Sequence, residues 1–156
     1  MIIYLVQHGE ALSEEINPER PLSEQGKKDI RNLGKFLKNL SVNARLIYHS
    51  PKKRAIETAE LMNEELGGGL RLVEETSLSP EEKPEGIIKS INRLKEDLII
   101  VGHLPNLGAF SRRLLKGLED RCIFNFKPGS LLILENVEGK WRVMAFIPTD
   151  FFRVQI

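Results

Sequence analysis

The sequence predicts an α/β fold: a single domain of three layers, with a mostly parallel central sheet flanked by helices and an antiparallel hairpin at the C-terminal end. Three observations predict it. The short apolar runs "IIYLV" (2–6) and "LIIVGH" (98–103) are rich in β-formers and read as buried strands. Segments with apolar residues at helical spacing lie between such runs, and strands alternating with helices argue for a parallel sheet. The tail breaks that alternation, because "SLLILENVEGKWRVMAFI" reads as two strands around a "VEGK" turn.

The first strand, 2–6, leads into a loop, "QHGEALSEEINPERPL". Ser23 has the chemistry of an N-cap, and Ile30, Leu33, Leu37 and Leu40 give the following helix one apolar face. "RLIYHS" (45–50) is the second strand. Ser50 is expected to cap the next helix, with Pro51 in its first turn. Ala55, Ile56, Ala59, Met62 and Leu66 would form the buried face of that helix, and Gly67, Gly68 and Gly69 would end it. "LRLV" (70–73) is a third strand. A polar stretch then leads to a short helix carrying Ile87, Ile88, Ile91 and Leu94. After the strand 98–103 comes a helix with Leu107, Phe110, Leu114 and Leu115, expected to stop at Gly117.

The bulk numbers exclude several classes. A chain of 156 residues suits one domain, 1–156, around one sizeable core. Its 23 basic and 22 acidic residues nearly cancel, unlike a globally basic nucleic-acid binder. Cys122 is the only cysteine, so no internal disulfide forms, which fits a reducing cytoplasm. No apolar run approaches a membrane span and no signal peptide is visible. A soluble, cytoplasmic protein is the expectation, with no nucleic acid and no membrane as partner. The oligomeric state is not legible.

Ligand sites in open α/β sheets lie beyond the carboxyl ends of the strands. Three such ends carry polar residues here: "QHG", "HSPKKRA" and "GHLPN". They deliver His8, His103 and, from the first turn of a helix, Arg54. Arg20 sits in the loop leaving the first strand. Arginine grips phosphate with a planar fork, a helix N-terminus adds backbone donors, and a neutral imidazole can attack phosphorus. The physical reading is a phosphate pocket with a nucleophile and no metal or other cofactor.

Four segments then resemble, in order, the motifs of the histidine phosphatase superfamily, whose fold is phosphoglycerate mutase-like, and of its short SixA-type branch. They are "LVQHGEA", "ERPLSEQG", "SPKKRAIETA" and "GHLP". Each alone would be weak; together they are specific. The resemblance implies that His8 takes the phosphoryl group, that Arg20 and Arg54 bind its oxygens, and that His103 donates to it as charge shifts. Gly9 would let the backbone pack behind His8, and its carbonyl would fix the imidazole tautomer. It also implies a phosphohistidine-bearing signalling or phosphocarrier protein as substrate, with small phosphoesters or phosphoserine as the alternative.

Gln7 departs from the pattern, since the family usually carries arginine there. A neutral donor is about half as strong as a charged one, so a weakened pocket is expected, and a phosphate-binding module with little turnover is a further alternative. No motif selects a general acid. Glu81 and Glu82, with Glu85 and Glu10, are the candidates. An imidazole leaving group needs less protonation than an alkoxide, which favours phosphohistidine.

Blander readings hold elsewhere. His49 fits no motif position. Lys52, Lys53, Arg112 and Arg113 read as solvated. The glycines at 67–69 lack the Gly-Lys-(Ser/Thr) of a P-loop. A cysteine phosphatase would need an arginine six residues after Cys122, where Pro128 stands, and no Asp-x-Asp occurs. The three histidines show no paired metal-ligand spacing.

Overall fold

The structure is a computed structural model that describes residues 1–116 and 124–154. Its sheet has six strands: β1 (Ile2–Gln7), β2 (Leu46–His49), β3 (Arg71–Glu74), β4 (Leu98–Gly102), β5 (Leu131–Val137) and β6 (Lys140–Ile147). Their order is β3-β2-β4-β1-β5-β6. β3, β2, β4 and β1 run parallel, and β5 and β6 add antiparallel pairs. The helices are α1 (Glu24–Asn39), α2 (Lys53–Glu65), α3 (Glu85–Asn92) and α4 (Asn106–Leu114), with 3-10 turns at Thr76–Leu78 and Thr149–Arg153.

Alternation along the central strands builds the three layers. Ile3 and Leu5 of β1, with Leu98 and Ile100 of β4, meet Ile87 and Ile91 of α3 and Leu107 and Phe110 of α4. Tyr4 and Val6, with Ile99 and Val101, face the other way onto Ile30, Leu33 and Leu37 of α1 and Ala55, Ala59 and Met62 of α2. Both faces of these strands are therefore buried, which is why their sequences are continuously apolar. Each fully buried Ile or Leu contributes roughly 1.5–3 kcal/mol. A one-residue slip would exchange the two faces and mismatch both helix layers.

Local signals set the element ends. Ser23 caps α1, its Oγ accepting from the Gly26 amide at 3.0 Å. Gly26 is obligatory there, because a Cβ would be driven into the Glu10 carbonyl oxygen. The β5–β6 hairpin turns at Glu138 and Gly139, both at positive φ, as a type I′ turn requires.

Several expectations shift. Ser50 does not cap α2, which begins at Lys53 with Lys52 at its N-cap and no side-chain cap bond. Pro51 thus precedes the helix. Within α2 the fully buried polar residue is Thr58, while Ile56 and Leu66 are only partly covered. Leu40 lies past the last turn of α1 and is 48 % exposed. β3 is an edge strand, one residue later than predicted and only partly buried. The stop expected at Gly117, like Cys122, falls outside the described residues. No helix among the described residues is long and apolar enough to cross a membrane.

Candidate active site

The strand order decides which residues meet. β4 lies between β1 and β2, and all three run the same way. Pairing continues just past their ends: the His8 amide donates to the Gly102 carbonyl at 3.0 Å and the Ser50 amide to that of Val101 at 3.2 Å. His8, His103 and Ser50 consequently emerge side by side from residues distant in sequence.

His8 and His103 face each other with ring centroids 4.8 Å apart and planes tilted by 50°. The His8 ring is held by its Nδ1, 2.7 Å from the Gly9 carbonyl oxygen. A carbonyl only accepts, so Nδ1 carries the proton and Nε2 keeps its lone pair. Burial is the main reason that the His8 pKa falls from 6.5 to about 4; the Gly9 carbonyl opposes the fall and the charges of Arg54 and Arg20 add to it. His103 falls to about 3, again first through burial, then through His8, Arg54, Lys52 and Arg20. Both rings are neutral at physiological pH.

Arg54 occupies the first turn of α2, and its Nε is buried without a partner among the described residues. Its pKa is lowered by burial and by Arg20, against a raising contribution from Glu14. Lys53, one residue earlier, points towards Glu57 at 3.9 Å, on the exposed side. Thr58 ties this turn to the nucleophile loop: its Oγ1 donates to the Arg54 carbonyl at 2.7 Å and accepts from the Gly9 amide at 3.0 Å.

Arg20 reaches the same region from the loop between β1 and α1. That loop folds back on itself through an Ala11–Leu22 bridge, and Arg20 takes a left-handed φ of 49°, which costs roughly 1–2 kcal/mol in a non-glycine residue. Its Nε donates to the Leu12 carbonyl at 3.0 Å. Gln7 ends β1 opposite Gly102, and its amide oxygen is buried with no partner among the described residues.

The candidate acids separate. The Glu10 carboxylate accepts from Ser23 Oγ at 2.7 Å, and that of Glu85 from Arg113. Glu81 and Glu82 are exposed on a loop that Asn106 pins beside the start of α4: Asn106 Nδ2 donates to the carbonyls of Ser77 and Glu82 at 3.0 and 2.7 Å. No carboxylate among the described residues is hydrogen-bonded to either pocket histidine. His49 is buried at the end of β2, its Nδ1 3.0 Å from the Ser50 carbonyl oxygen. Among the described residues no three His, Cys, Asp or Glu side chains cluster to hold a metal ion.

The sequence alone does not mark Ser50 or Thr58 as residues of this region. Ser50 and Thr58 lie inside "SPKKRAIETA", and their full burial as polar side chains is the signal that exposes them.

Two facing neutral imidazoles, one with a free Nε2, beside two guanidinium groups can receive a tetrahedral anion. Comparison with known proteins agrees with that chemistry. The profile of the histidine phosphatase superfamily (branch 1) matches residues 3–79, and the chain belongs to that superfamily. A phosphatase is the class this membership supports. No curated protein matches the sequence. Among solved structures, the protein histidine phosphatase SixA complexed with tungstate superposes with a TM-score of 0.87 at 20 % identity, covering 97 % of this chain and 99 % of that one. The α-ribazole phosphatase from Shigella flexneri gives 0.77 at 16 %, covering 96 % and 97 %. A mycobacterial glucosyl-3-phosphoglycerate phosphatase with bound VO3 gives 0.74 at 15 %, covering 94 % and 99 %. At these identities the likeness is one of fold.

Proposed function

We propose that this protein is a metal-independent phosphatase of the SixA type, which removes phosphate from phosphohistidine on a partner protein through a phosphohistidine on His8. The carrying observation is the His8 ring, fixed at Nδ1 by the Gly9 carbonyl at 2.7 Å. In this reading the Nε2 lone pair attacks phosphorus and the bond to the leaving group breaks, its electron pair going to the leaving nitrogen or oxygen. Water then hydrolyses the N–P bond of the intermediate. Arg20 and Arg54 hold the equatorial oxygens, Gln7 adds a neutral contact, and His103 donates to the oxygen that gains charge. The oxyanions in the SixA and mycobacterial structures support such an anion site on this fold.

That no carboxylate among the described residues is hydrogen-bonded to either histidine supports a leaving group that needs little protonation, and imidazole is one. Glu81 and Glu82, on their pinned exposed loop, stand as acids only for an alkoxide. The second reading, a phosphatase of small phosphoesters, draws support from the fold likeness to the α-ribazole and glucosyl-3-phosphoglycerate phosphatases. A panel of phosphohistidine proteins and phosphoesters assayed together decides. Phosphohistidine should give the higher kcat/KM, and a preference for phosphoesters would overturn the first reading. Undetectable turnover with retained phosphate affinity would leave a binding module.

A further inference from the structure

We propose that Ser50 is a positioning residue that holds His103 in the tautomer with its proton on Nδ1, so that this N–H is the donor offered to a bound phosphoryl group. The proposal deepens the phosphatase reading and rests on it for its kinetic part. It begins with a fully buried hydroxyl. Ser50 is 0 % exposed, and its Oγ lies 2.5 Å from His103 Nε2. The same Oγ accepts from the Lys52 amide at 3.2 Å.

A serine hydroxyl has one proton and two lone pairs. A backbone amide can only donate, so Lys52 occupies a lone pair. If His103 also donated from Nε2, the proton of this fully buried hydroxyl would have no acceptor among the described residues. Leaving a buried donor unpaired costs about 1–3 kcal/mol in general. With Lys52 N–H donating to Ser50 Oγ and Ser50 O–H to His103 Nε2, only the Nδ1–H of His103 lacks a partner among the described residues, whereas the opposite tautomer leaves both the hydroxyl proton and the Nδ1 lone pair without one. A neutral imidazole with a lone pair on Nε2 carries its proton on Nδ1. His103 Nδ1 has no partner among the described residues, which leaves its N–H for a ligand oxygen. In the opposite tautomer Nδ1 would present a lone pair to an anion.

The geometry extends to the backbone. The Lys52 amide sits in the turn that opens α2, one residue before the helix begins. The turn that brings Arg54 to the pocket therefore also sets the direction of the Ser50 hydroxyl. "Ser-Pro-x-x-Arg" would in this way serve both the guanidinium and the second histidine. The depressed pKa of His103 supports the same picture, since a neutral ring has two tautomers to choose between.

The test is long-range 1H–15N NMR of the ring nitrogens in the full chain, at neutral pH and without substrate. Wild-type His103 should show a protonated Nδ1 and an unprotonated Nε2. Ser50→Ala should move that signal towards a tautomer mixture while the His8 signals keep theirs. Its kcat should fall between about 10- and 100-fold, more than KM rises, because part of a transition-state donor is lost. Ser50→Thr, which keeps the hydroxyl, should restore most of both. A wild-type His103 protonated on Nε2 would overturn the proposal, whether or not the variants fold. So would a Ser50→Ala protein with unchanged tautomer and unchanged kcat. The tautomer result stands apart from turnover: a correct tautomer in a protein without turnover would count against the phosphatase reading and not against the Ser50 bond.

Discussion

Replacing Arg54 with alanine should damage catalysis without damaging the fold. The Nε of Arg54 is buried and has no partner among the described residues, and burial and Arg20 disfavour its charge more than Glu14 favours it. Folding therefore gains little from it, and Arg54→Ala should leave the melting temperature unchanged or slightly raised. Loss of a charged phosphate ligand should instead cost on the order of 2–4 kcal/mol in the transition state, about 30- to 900-fold in kcat/KM. Lys53 is the internal control. Its exposed 3.9 Å contact with Glu57 is worth about 0–1 kcal/mol of stability, and it lies off the pocket, so Lys53→Ala should change kcat/KM by less than about twofold. Steady-state kinetics and thermal melts on the three proteins suffice. Equal kinetic losses in both variants would refute the reasoning, as would a fall of several degrees in Arg54→Ala alone.

Three further outcomes follow from other parts of the structure. Gln7→Arg should tighten inhibition by inorganic phosphate, because a charged donor replaces a neutral one beside a poorly hydrated anion; unchanged affinity in a calorimetric titration would mean that Gln7 does not stand at a phosphate ligand position. The kcat/KM profile should not break near 6.5 but fall as pH drops through about 4, since His8 must be neutral and its pKa is lowered to about 4; by the same linkage, stability that is full above about 6.5 should be lost as pH falls towards the folded value. Arg153 clamps the C-terminal turn to α1 through Asp29, at 2.8 and 2.7 Å, with Asp29 1 % exposed. Arg153→Ala leaves the buried Asp29 carboxylate with Gln25 Nε2, at 2.9 Å, as its remaining side-chain donor, whereas Asp29→Ala leaves an arginine free to reach water; the first should cost more stability than the second, a ranking that urea midpoints check.

What could be read from sequence was whatever a short window encodes. "IIYLV" and "LIIVGH" declare burial on both faces because each contains almost nothing polar. Ser23 reads as a cap because its bond to Gly26 spans three residues. The glycine of "EGK" forces its turn. Ser50 was misread for the same reason that Ser23 was read well: a serine before a proline and a helix looks like a cap. Its actual partner is His103, fifty-three positions away, and only the strand order makes them neighbours. Leu40 continued the apolar spacing but lies beyond the last turn that packs. His8 and His103 are legible as strand-end residues and Arg54 as a first-turn residue of the helix after β2, since topology rules say where strand ends gather. The 4.8 Å between the two rings, the free Nε of Arg54 and the charge of Glu14 near it depend on tertiary packing.

The central claim is that His8 carries the phosphoryl group, and rapid quench with mass-spectrometric mapping tests it most directly. After brief exposure to a phosphorylated substrate, the peptide containing His8 should gain one phosphate that survives base and is lost in acid, and His8→Ala should show neither the adduct nor turnover. Turnover that persists in His8→Ala, or phosphate mapped to any other residue, would contradict the account.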